Sequence, residues 1–377
     1  MEGKDICKNK CCSCGACQSL CPKHAISMVE NNRGFLEPFV NKDLCVDCGA
    51  CVSVCNSEVK RNSIEEAFIV KIKDCRQHLN SQSGGAFTAI SDVVLAKSGT
   101  VFGVTMDSNH EGIYSVAKTQ VERDAMHGSK YMRARVGNAY KEVEAELKGG
   151  IVLFSGTPCH VAGLLKYLKK RNIDTTNLYT IDLICHGTPS VRVWRGMLKH
   201  ISQDAGPVLY AVCRDKIQTG WGGSSSTFYA NKKVSSNLFC RIFFTDLCLG
   251  ESCYSCEYAT KERTGDISIG DAWGVQKHNP EFFDSRGVSF LLINSPKGKE
   301  LFELLKKNVS YQKVDVNLYA QKNLSEPSYP HRNIEEFWHD FDKRNFEYVI
   351  KKYGKNNIFL NYKYVFKKVV RKIWKKR

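Results

Sequence analysis

The chain has 377 residues, of which 42% are hydrophobic, and this size predicts two or three domains with an ordinary buried core. No charge-free apolar run approaches the roughly 18 residues of a membrane-spanning helix, so we expect no segment that crosses a bilayer. The net charge of +16 suggests a nucleic-acid partner, but eleven Lys and Arg and no acid lie between Lys351 and Arg377. Most of the surplus is therefore a basic tail, and we expect no nucleic acid.

Two cysteine runs near the N-terminus repeat one spacing. Both read C-x2-C-x2-C-x3-C, and the eight residues are Cys11, Cys14, Cys17, Cys21, Cys45, Cys48, Cys51 and Cys55. This spacing lets three thiolates of a run bind one [4Fe-4S] cluster while the fourth binds the neighbouring cluster. The predicted wiring is therefore crossed. One cluster takes Cys11, Cys14, Cys17 and Cys55, and the other takes Cys45, Cys48, Cys51 and Cys21.

This stretch resembles the bacterial two-cluster ferredoxins, and we predict a ferredoxin-type domain over residues 1–60. Gly15 and Gly49 fit this interpretation, because backbone that approaches inorganic sulfur closely needs turns that glycine adopts freely. Zinc knuckles are the alternative, but they present C-x2-C pairs separated by a longer spacer. The first ten residues lack the apolar run of a secretory signal, so we expect a cytoplasmic protein whose thiols stay reduced.

A glycine-rich turn follows a polar connector. Ser83, Gly84 and Gly85 precede a predicted helix, with Ser83 as the expected N-cap. A helix start of this kind exposes N–H groups that suit a phosphate, although a tight turn without a ligand is the alternative. Further on, Lys130 is a candidate to pair with a cofactor phosphate or to lie near a flavin ring. A solvated surface lysine is the other interpretation.

Two strand–loop–helix units come next. A strand over 151–154 leads to Cys159, and a strand over 178–184 leads to Cys185. Such alternation predicts parallel strands with right-handed crossovers, and the whole pattern predicts an α+β protein with a mixed sheet. Because ligands bind outside the carboxyl ends of parallel strands, Cys159 and Cys185 should lie in one crevice.

A third metal site is predicted from cysteines that are distant in sequence. Cys253 and Cys256 form a C-x2-C pair, and together with Cys159 and Cys185 they supply four thiolates for a third cubane. Cys248 is the reserve ligand, and a zinc site built from the same four is the alternative. The remaining cysteines are interpreted as small buried hydrophobes, namely Cys7, Cys12, Cys75, Cys213 and Cys240.

A second resemblance covers about residues 66–340, which we predict to be one domain. This region is similar to the beta-subunit family of coenzyme F-420 hydrogenases and dehydrogenases, in particular to bacterial members that follow a two-cluster ferredoxin and are associated with polysaccharide biosynthesis. The matching stretches are Ser83-Gly84-Gly85, Gly128-Ser129-Lys130-Tyr131, Gly156-Thr157-Pro158-Cys159, Ile184-Cys185-His186-Gly187, Cys253-Tyr254-Ser255-Cys256 and Asp266-Ile267-Ser268-Ile269-Gly270-Asp271. The resemblance implies a flavin, usually FAD, beside a [4Fe-4S] cluster. It makes Ser83, Gly84, Gly85 and Lys130 flavin-site candidates.

The predicted function is an iron–sulfur flavoprotein oxidoreductase, in which clusters carry single electrons and a flavin exchanges a hydride with an organic substrate. The alternative is an electron-relay subunit without a substrate site of its own. We expect a redox partner protein or ferredoxin, and a small-molecule or glycan-linked substrate. The sequence names no catalytic acid, although His160 and His186 flank two predicted ligands and either donate protons or act as structural hydrogen-bonding groups.

The last segment, over 346–377, is predicted to be a basic amphipathic tail. Tyr362, Phe366 and Ile373 recur on one helical stripe with lysines on the opposite side. Such a helix either makes peripheral contact with the inner face of an anionic cytoplasmic membrane or packs on the main domain.

Overall fold

The computed structural model describes residues 6–7 and 11–354. Within these residues, the N-terminal unit has one antiparallel hairpin and two short helices whose full ranges are described. In chain order these elements are α1 (Ala16–Leu20), β1 (Ile26–Glu30), β2 (Leu36–Val40) and α2 (Ala50–Cys55).

The rest of the chain adds eleven strands and thirteen α-helices within the described residues. The strands are β3 (Glu66–Ile72), β4 (Thr100–Met106), β5 (Gly112–Ala117), β6 (Val152–Gly156), β7 (Leu178–Leu183), β8 (Tyr210–Val212), β9 (Ser226–Tyr229), β10 (Lys233–Ser236), β11 (Ile267–Asp271), β12 (Ser289–Ile293) and β13 (Val309–Lys313). The helices are α3 (Cys75–Asn80), α4 (Ala86–Leu95), α5 (Gln120–Asp124), α6 (Ala139–Glu146), α7 (Pro158–Lys170), α8 (Val191–Ala205), α9 (Lys216–Thr219), α10 (Leu238–Phe243), α11 (Val275–His278), α12 (Pro296–Leu305), α13 (Val316–Tyr319), α14 (Ile334–Lys343) and α15 (Phe346–Val349).

Eight of these strands form one sheet in the order β13-β3-β12-β11-β7-β6-β4-β5. The neighbouring strands β4, β6, β7 and β11 run parallel, whereas β5, β12, β3 and β13 pair antiparallel with their neighbours. The prediction of an α+β protein with a mixed sheet is therefore confirmed. Strands β8 to β10 form a separate antiparallel sheet.

The sheet buries side chains on both faces, as strand alternation requires. Leu153 of β6 packs on one face with residues of α4 and α12. Its neighbours Val152 and Phe154 pack on the opposite face with α6, α7 and apolar residues of the N-terminal unit. The N-terminal unit thus shares a hydrophobic core with the large sheet domain.

Polar contacts also connect the N-terminal hairpin to α8. Arg195 forms an ion pair with Glu30 at 2.6 Å, and the Ser190 hydroxyl donates to the Arg33 carbonyl at 2.5 Å. Within the described residues, no helix is long and apolar enough to span a bilayer. The predicted tail stripe at Tyr362, Phe366 and Ile373 lies outside the described residues.

Candidate metal centres and cofactor cavity

The two N-terminal cysteine runs share a local backbone geometry. Gly15 and Gly49 both have φ of 72° and occupy the N-cap positions of α1 and α2. Only glycine adopts this left-handed conformation at little steric cost. Each run therefore turns sharply between its second and third cysteine, at the glycine for which we predicted a turn.

One of the two crossed ligand sets encloses a small cavity. Four thiol-bearing residues line it, Cys21 from the first run and Cys45, Cys48 and Cys51 from the second. Cys48 is exposed, so this site lies at the protein surface. Four thiols around a common space are a donor set that fits an iron–sulfur cubane.

The other set is more deeply buried. Burial, together with the negative charges of Cys11 and Cys55, raises the pKa of the Cys17 thiol to about 12. Cys14 lies against α7, because a Cβ placed on Gly163 would come within 2.9 Å of the Cys14 Cβ. A bound cluster needs these thiols in the deprotonated form, and its iron ions would supply the positive charge that stabilises buried thiolates.

Two cysteines that we interpreted as small buried hydrophobes are half-buried and contact these sites, so that interpretation was wrong. The Cys7 sulfur lies 2.9 Å from the Cys55 sulfur, and the Cys12 thiol interacts with both Cys14 and Cys159. Cys75 is exposed, so it was misassigned as well. The buried positions predicted for Cys213 and Cys240 are confirmed, since both side chains are 0% exposed.

The third set comes from three separate segments of the large domain. Cys159 lies in the first turn of α7, Cys185 follows β7, and Cys253 and Cys256 lie in and after a short 3-10 helix over Glu251–Ser255. Burial raises the pKa of the Cys185 thiol, and the negative charges of Cys253, Cys159 and Cys256 raise it further. Geometry also brings these segments together, since Arg133 contacts both Cys159 Sγ, at 3.0 Å, and Cys253 Sγ, at 3.9 Å, and the Thr188 N–H near Cys185 lies 3.5 Å from Cys253 Sγ.

The reserve ligand lies elsewhere. Cys248 has no exposed surface and packs in an apolar cluster with Phe239 and Trp338, where burial raises its pKa to about 12. Within residues 6–7 and 11–354, no three Cys, His, Asp or Glu side chains form a group suited to hold a single metal ion.

A buried ion pair fixes the backbone around the third set. Asp182 at the end of β7 accepts from Arg263 Nη2 at 2.6 Å and from the Gly265 N–H at 2.8 Å, and neither charged side chain is more than 1% exposed. The Ser268 hydroxyl also donates to Asp182, at 2.5 Å. These bonds hold the strand that precedes Cys185 against the segment that follows Cys256.

A cavity of 610 Å³ opens beside the third set. Its wall includes three of the predicted flavin-site residues, Ser83, Gly85 and Lys130, and it also includes Cys185. Gly84 is not part of the wall but packs closely against the neighbouring backbone. A Cβ atom added to Gly84 would lie 2.5 Å from the backbone nitrogen of Ser289. The volume is in the range of small-molecule and cofactor sites.

The start of α4 faces this cavity, but its N-cap differs from our prediction. Gly85, with φ of 79°, is the N-cap, and no side chain caps the helix. The Ser83 hydroxyl instead donates to the Val288 carbonyl at 2.7 Å, so the prediction of a Ser83 cap was wrong. Ala86 and Phe87 in the first turn also line the cavity, which places the positive end of the helix at its wall.

Lys130 is not a surface lysine. Its ammonium donates to the carbonyls of Met126 at 2.8 Å and of His127 at 2.7 Å. Burial lowers its pKa to about 7. These hydrogen bonds stabilise the loop over 126–130, which forms one wall of the cavity.

Both histidines beside the predicted ligands line the cavity. His160 Nδ1 lies 3.1 Å from the Tyr114 hydroxyl, and burial lowers its pKa to about 3. His186 Nε2 lies 2.6 Å from Asp246 Oδ1. Each histidine is thus held in one orientation by a polar partner.

These features define an iron–sulfur protein of the oxidoreductase class. A family model described as a 4Fe-4S dicluster domain matches residues 10–59. In the larger domain, residues 150–317 match a family model described as the C terminus of the coenzyme F420 hydrogenase/dehydrogenase beta subunit. Both resemblances seen in the sequence are confirmed.

Thirteen chains in solved structures match this fold. One belongs to the F420-reducing [NiFe] hydrogenase complex from Methanosarcina barkeri, in a xenon-derivatised structure. The match has a TM-score of 0.50 and 16% identity, and it covers 67% of this chain and 83% of that chain. At this identity the likeness concerns the fold alone. No curated protein matches the chain.

Proposed function

We propose that the chain is an iron–sulfur flavoprotein oxidoreductase. In this proposal Cys159, Cys185, Cys253 and Cys256 hold a third [4Fe-4S] cluster, and the 610 Å³ cavity holds FAD or another flavin. One observation carries the proposal: Cys185 belongs to the third thiol set and also lines the cavity. A cluster and a ring bound at these places would be neighbours.

A bound flavin supplies hydride exchange with an organic substrate and single-electron exchange with iron–sulfur clusters. The first turn of α4 lies at the cavity wall, so the positive end of its helix dipole favours the phosphates of a flavin there. Phe244 and Trp273 line the same cavity and are 50% and 41% exposed, so they offer aromatic surface to a planar ring.

The packing between the two domains supplies a short path for electrons from the N-terminal unit to the cavity. Cys14 lies against Gly163 of α7, and Cys12 interacts with the thiols of both Cys14 and Cys159. Cys14 belongs to a predicted N-terminal cluster and Cys159 to the proposed third cluster. The two sites therefore meet through sulfur-bearing side chains.

Filling the space at Gly163 is expected to disturb this interface. In Gly163→Val the new side chain would meet the Tyr140 hydroxyl, which lies 2.7 Å from the Cβ position, as well as Cys14. Overpacking of this kind costs about 1–3 kcal/mol of unfolding free energy. Denaturant unfolding of the anaerobic protein measures this cost. Gly150→Val is the control, because no atom lies within 4 Å of its Cβ position. Equal effects in both variants would contradict the tight interface.

Bound flavin is the direct test of the proposal. Anaerobically purified protein is expected to release about one flavin per chain on denaturation, identified by absorbance and chromatography. A site-specific comparison uses Phe87→Glu and Phe87→Gln, which differ in charge alone at the helix start that lines the cavity. If phosphates bind there, the glutamate variant should bind flavin about tenfold more weakly than the glutamine variant, a difference of about 1.4 kcal/mol. Equal affinities would contradict phosphate binding at α4.

The relay hypothesis remains the second candidate, because Cys48 is exposed and a redox partner or ferredoxin can approach the second cluster site closely. Iron-loaded protein without flavin would favour a relay subunit that serves a partner oxidoreductase. A glycan-linked substrate, a role in polysaccharide biosynthesis and a cytoplasmic location stay predictions. So does membrane contact through 346–377, of which 355–377 lie outside the described residues.

A further inference from the structure

A buried arginine lies among the thiols of the third set. Arg133 is 9% exposed, its Nη1 donates to Cys159 Sγ at 3.0 Å, and its Nη2 lies 3.9 Å from Cys253 Sγ. Its buried Nε has no hydrogen-bond partner within the described residues. In that same part of the chain, no carboxylate forms an ion pair with it.

A guanidinium stays charged in proteins, and burying it without a negative partner is costly. The negative charge that offsets Arg133 must therefore come from the surrounding sulfurs. Its Nη atoms contact the sulfurs of two residues of the third set, Cys159 and Cys253. The arginine is thus matched to anionic sulfur.

Arg133 also lies where the parts of the proposed electron route meet. It lines the 610 Å³ cavity and a second cavity of 560 Å³, whose wall includes Cys11 of the N-terminal unit. One fixed cation therefore contacts Cys159 of the third set and faces the cavity that Cys11 lines.

We propose that Arg133 is the charge-compensating residue of the third cluster and raises the reduction potential of that cluster. The inference rests on the proposed function, because the third cluster is part of it. Four thiolates give such a cluster a net negative charge, and each electron that enters adds one more negative charge. A fixed cation stabilises the reduced form more than the oxidised form. The step transfers one electron, and no bond or proton changes place at Arg133.

The test is a redox titration of the full-length anaerobic protein, monitored by electron paramagnetic resonance. Arg133→Gln keeps a hydrogen-bond donor but removes the charge. At a fixed potential, it should lower the ratio of reduced to oxidised third cluster about tenfold, which is about 59 mV for a one-electron couple. Arg133→Lys keeps the charge and should show less than half of this shift. An unchanged potential in Arg133→Gln would overturn the proposal.

Arg135→Gln is the matched control. Arg135 lies two positions further along the chain, but it already forms ion pairs with Asp107 and Glu111. Its removal should leave the potential of the third cluster unchanged. A shift as large as that of Arg133→Gln would show that any nearby arginine has the effect, and this would contradict a specific role for Arg133.

A second measurement on the unaltered chain covers the case in which the glutamine variant does not fold. In protein labelled with 15N-arginine, pulsed paramagnetic resonance of the reduced third cluster should detect a nitrogen coupling from the guanidinium, and its absence would overturn the inference. Iron analysis distinguishes failure of the third cluster from failure of the role of Arg133. Wild-type protein with only about eight irons would refute the third cluster itself, whereas about twelve irons with no coupling and no shift would refute only the role of Arg133.

Discussion

Wild-type protein prepared without oxygen is expected to contain about twelve irons, and the double variant Cys185→Ala/Cys253→Ala about eight, because a cubane that loses two of four thiolate ligands is not retained. These two cysteines come from different loops of the large domain, yet their thiols are electrostatic neighbours. Iron and sulfide analysis measures the loss. The N-terminal clusters should persist, because their predicted ligands lie in the first 55 residues.

The matched control is Cys213→Ala/Cys240→Ala. Both of these cysteines are 0% exposed and pack in an apolar cluster, so the same double substitution should leave the iron content unchanged. If Cys185→Ala/Cys253→Ala folds and keeps about twelve irons, the proposed ligand set is wrong. If wild-type protein holds zinc in place of the third group of irons, the zinc alternative is correct and the electron route ends in the N-terminal unit.

The second large effect is expected from Asp182→Asn. This change leaves Arg263 buried without its carboxylate partner, and breaking a buried pair in this way costs about 3–5 kcal/mol. The loss should also release the strand before Cys185 from the segment after Cys256, so the third cluster should be lost at lower denaturant than the N-terminal clusters. A denaturant titration monitored by circular dichroism measures the loss of stability, and visible absorbance in the same titration measures the loss of clusters.

Asp342→Asn is the control for that experiment. Asp342 pairs with Arg192 at 2.8 Å, but their side chains are 46% and 31% exposed. Removing such a surface pair costs about 0–1 kcal/mol, because water replaces the lost contact. Comparable destabilisation in both variants would contradict the view that the Asp182 pair organises the third site.

The sequence predicted the local parts of the candidate sites well. The turns at Gly15 and Gly49 follow from spacing, because a cluster that binds cysteines three residues apart forces the backbone to wrap around it. The strand–loop–helix pattern placed Cys159 and Cys185 at one edge of the sheet, since parallel strands end at the same edge. These inferences needed no long-range contact.

Other positions could not be inferred in this way. Ser83 has the residue type of an N-cap, but its hydroxyl donates to Val288, which is distant in sequence. Lysine is a residue type that usually lies at the surface, but the ammonium of Lys130 donates to carbonyls in a buried loop. In both cases the competing partner became available only after folding.

The amino-acid sequence by itself determined the two N-terminal ligand templates, the mixed sheet and the resemblance of the larger domain to the F420 beta-subunit family, because these depend on spacing and on short-range pattern. Only the tertiary structure decided that Cys12 lies between thiols of the two domains and that Arg133 contacts the sulfurs of Cys159 and Cys253. The physical reason is that burial and charge pairing depend on which distant segments pack together, and no local pattern encodes that packing.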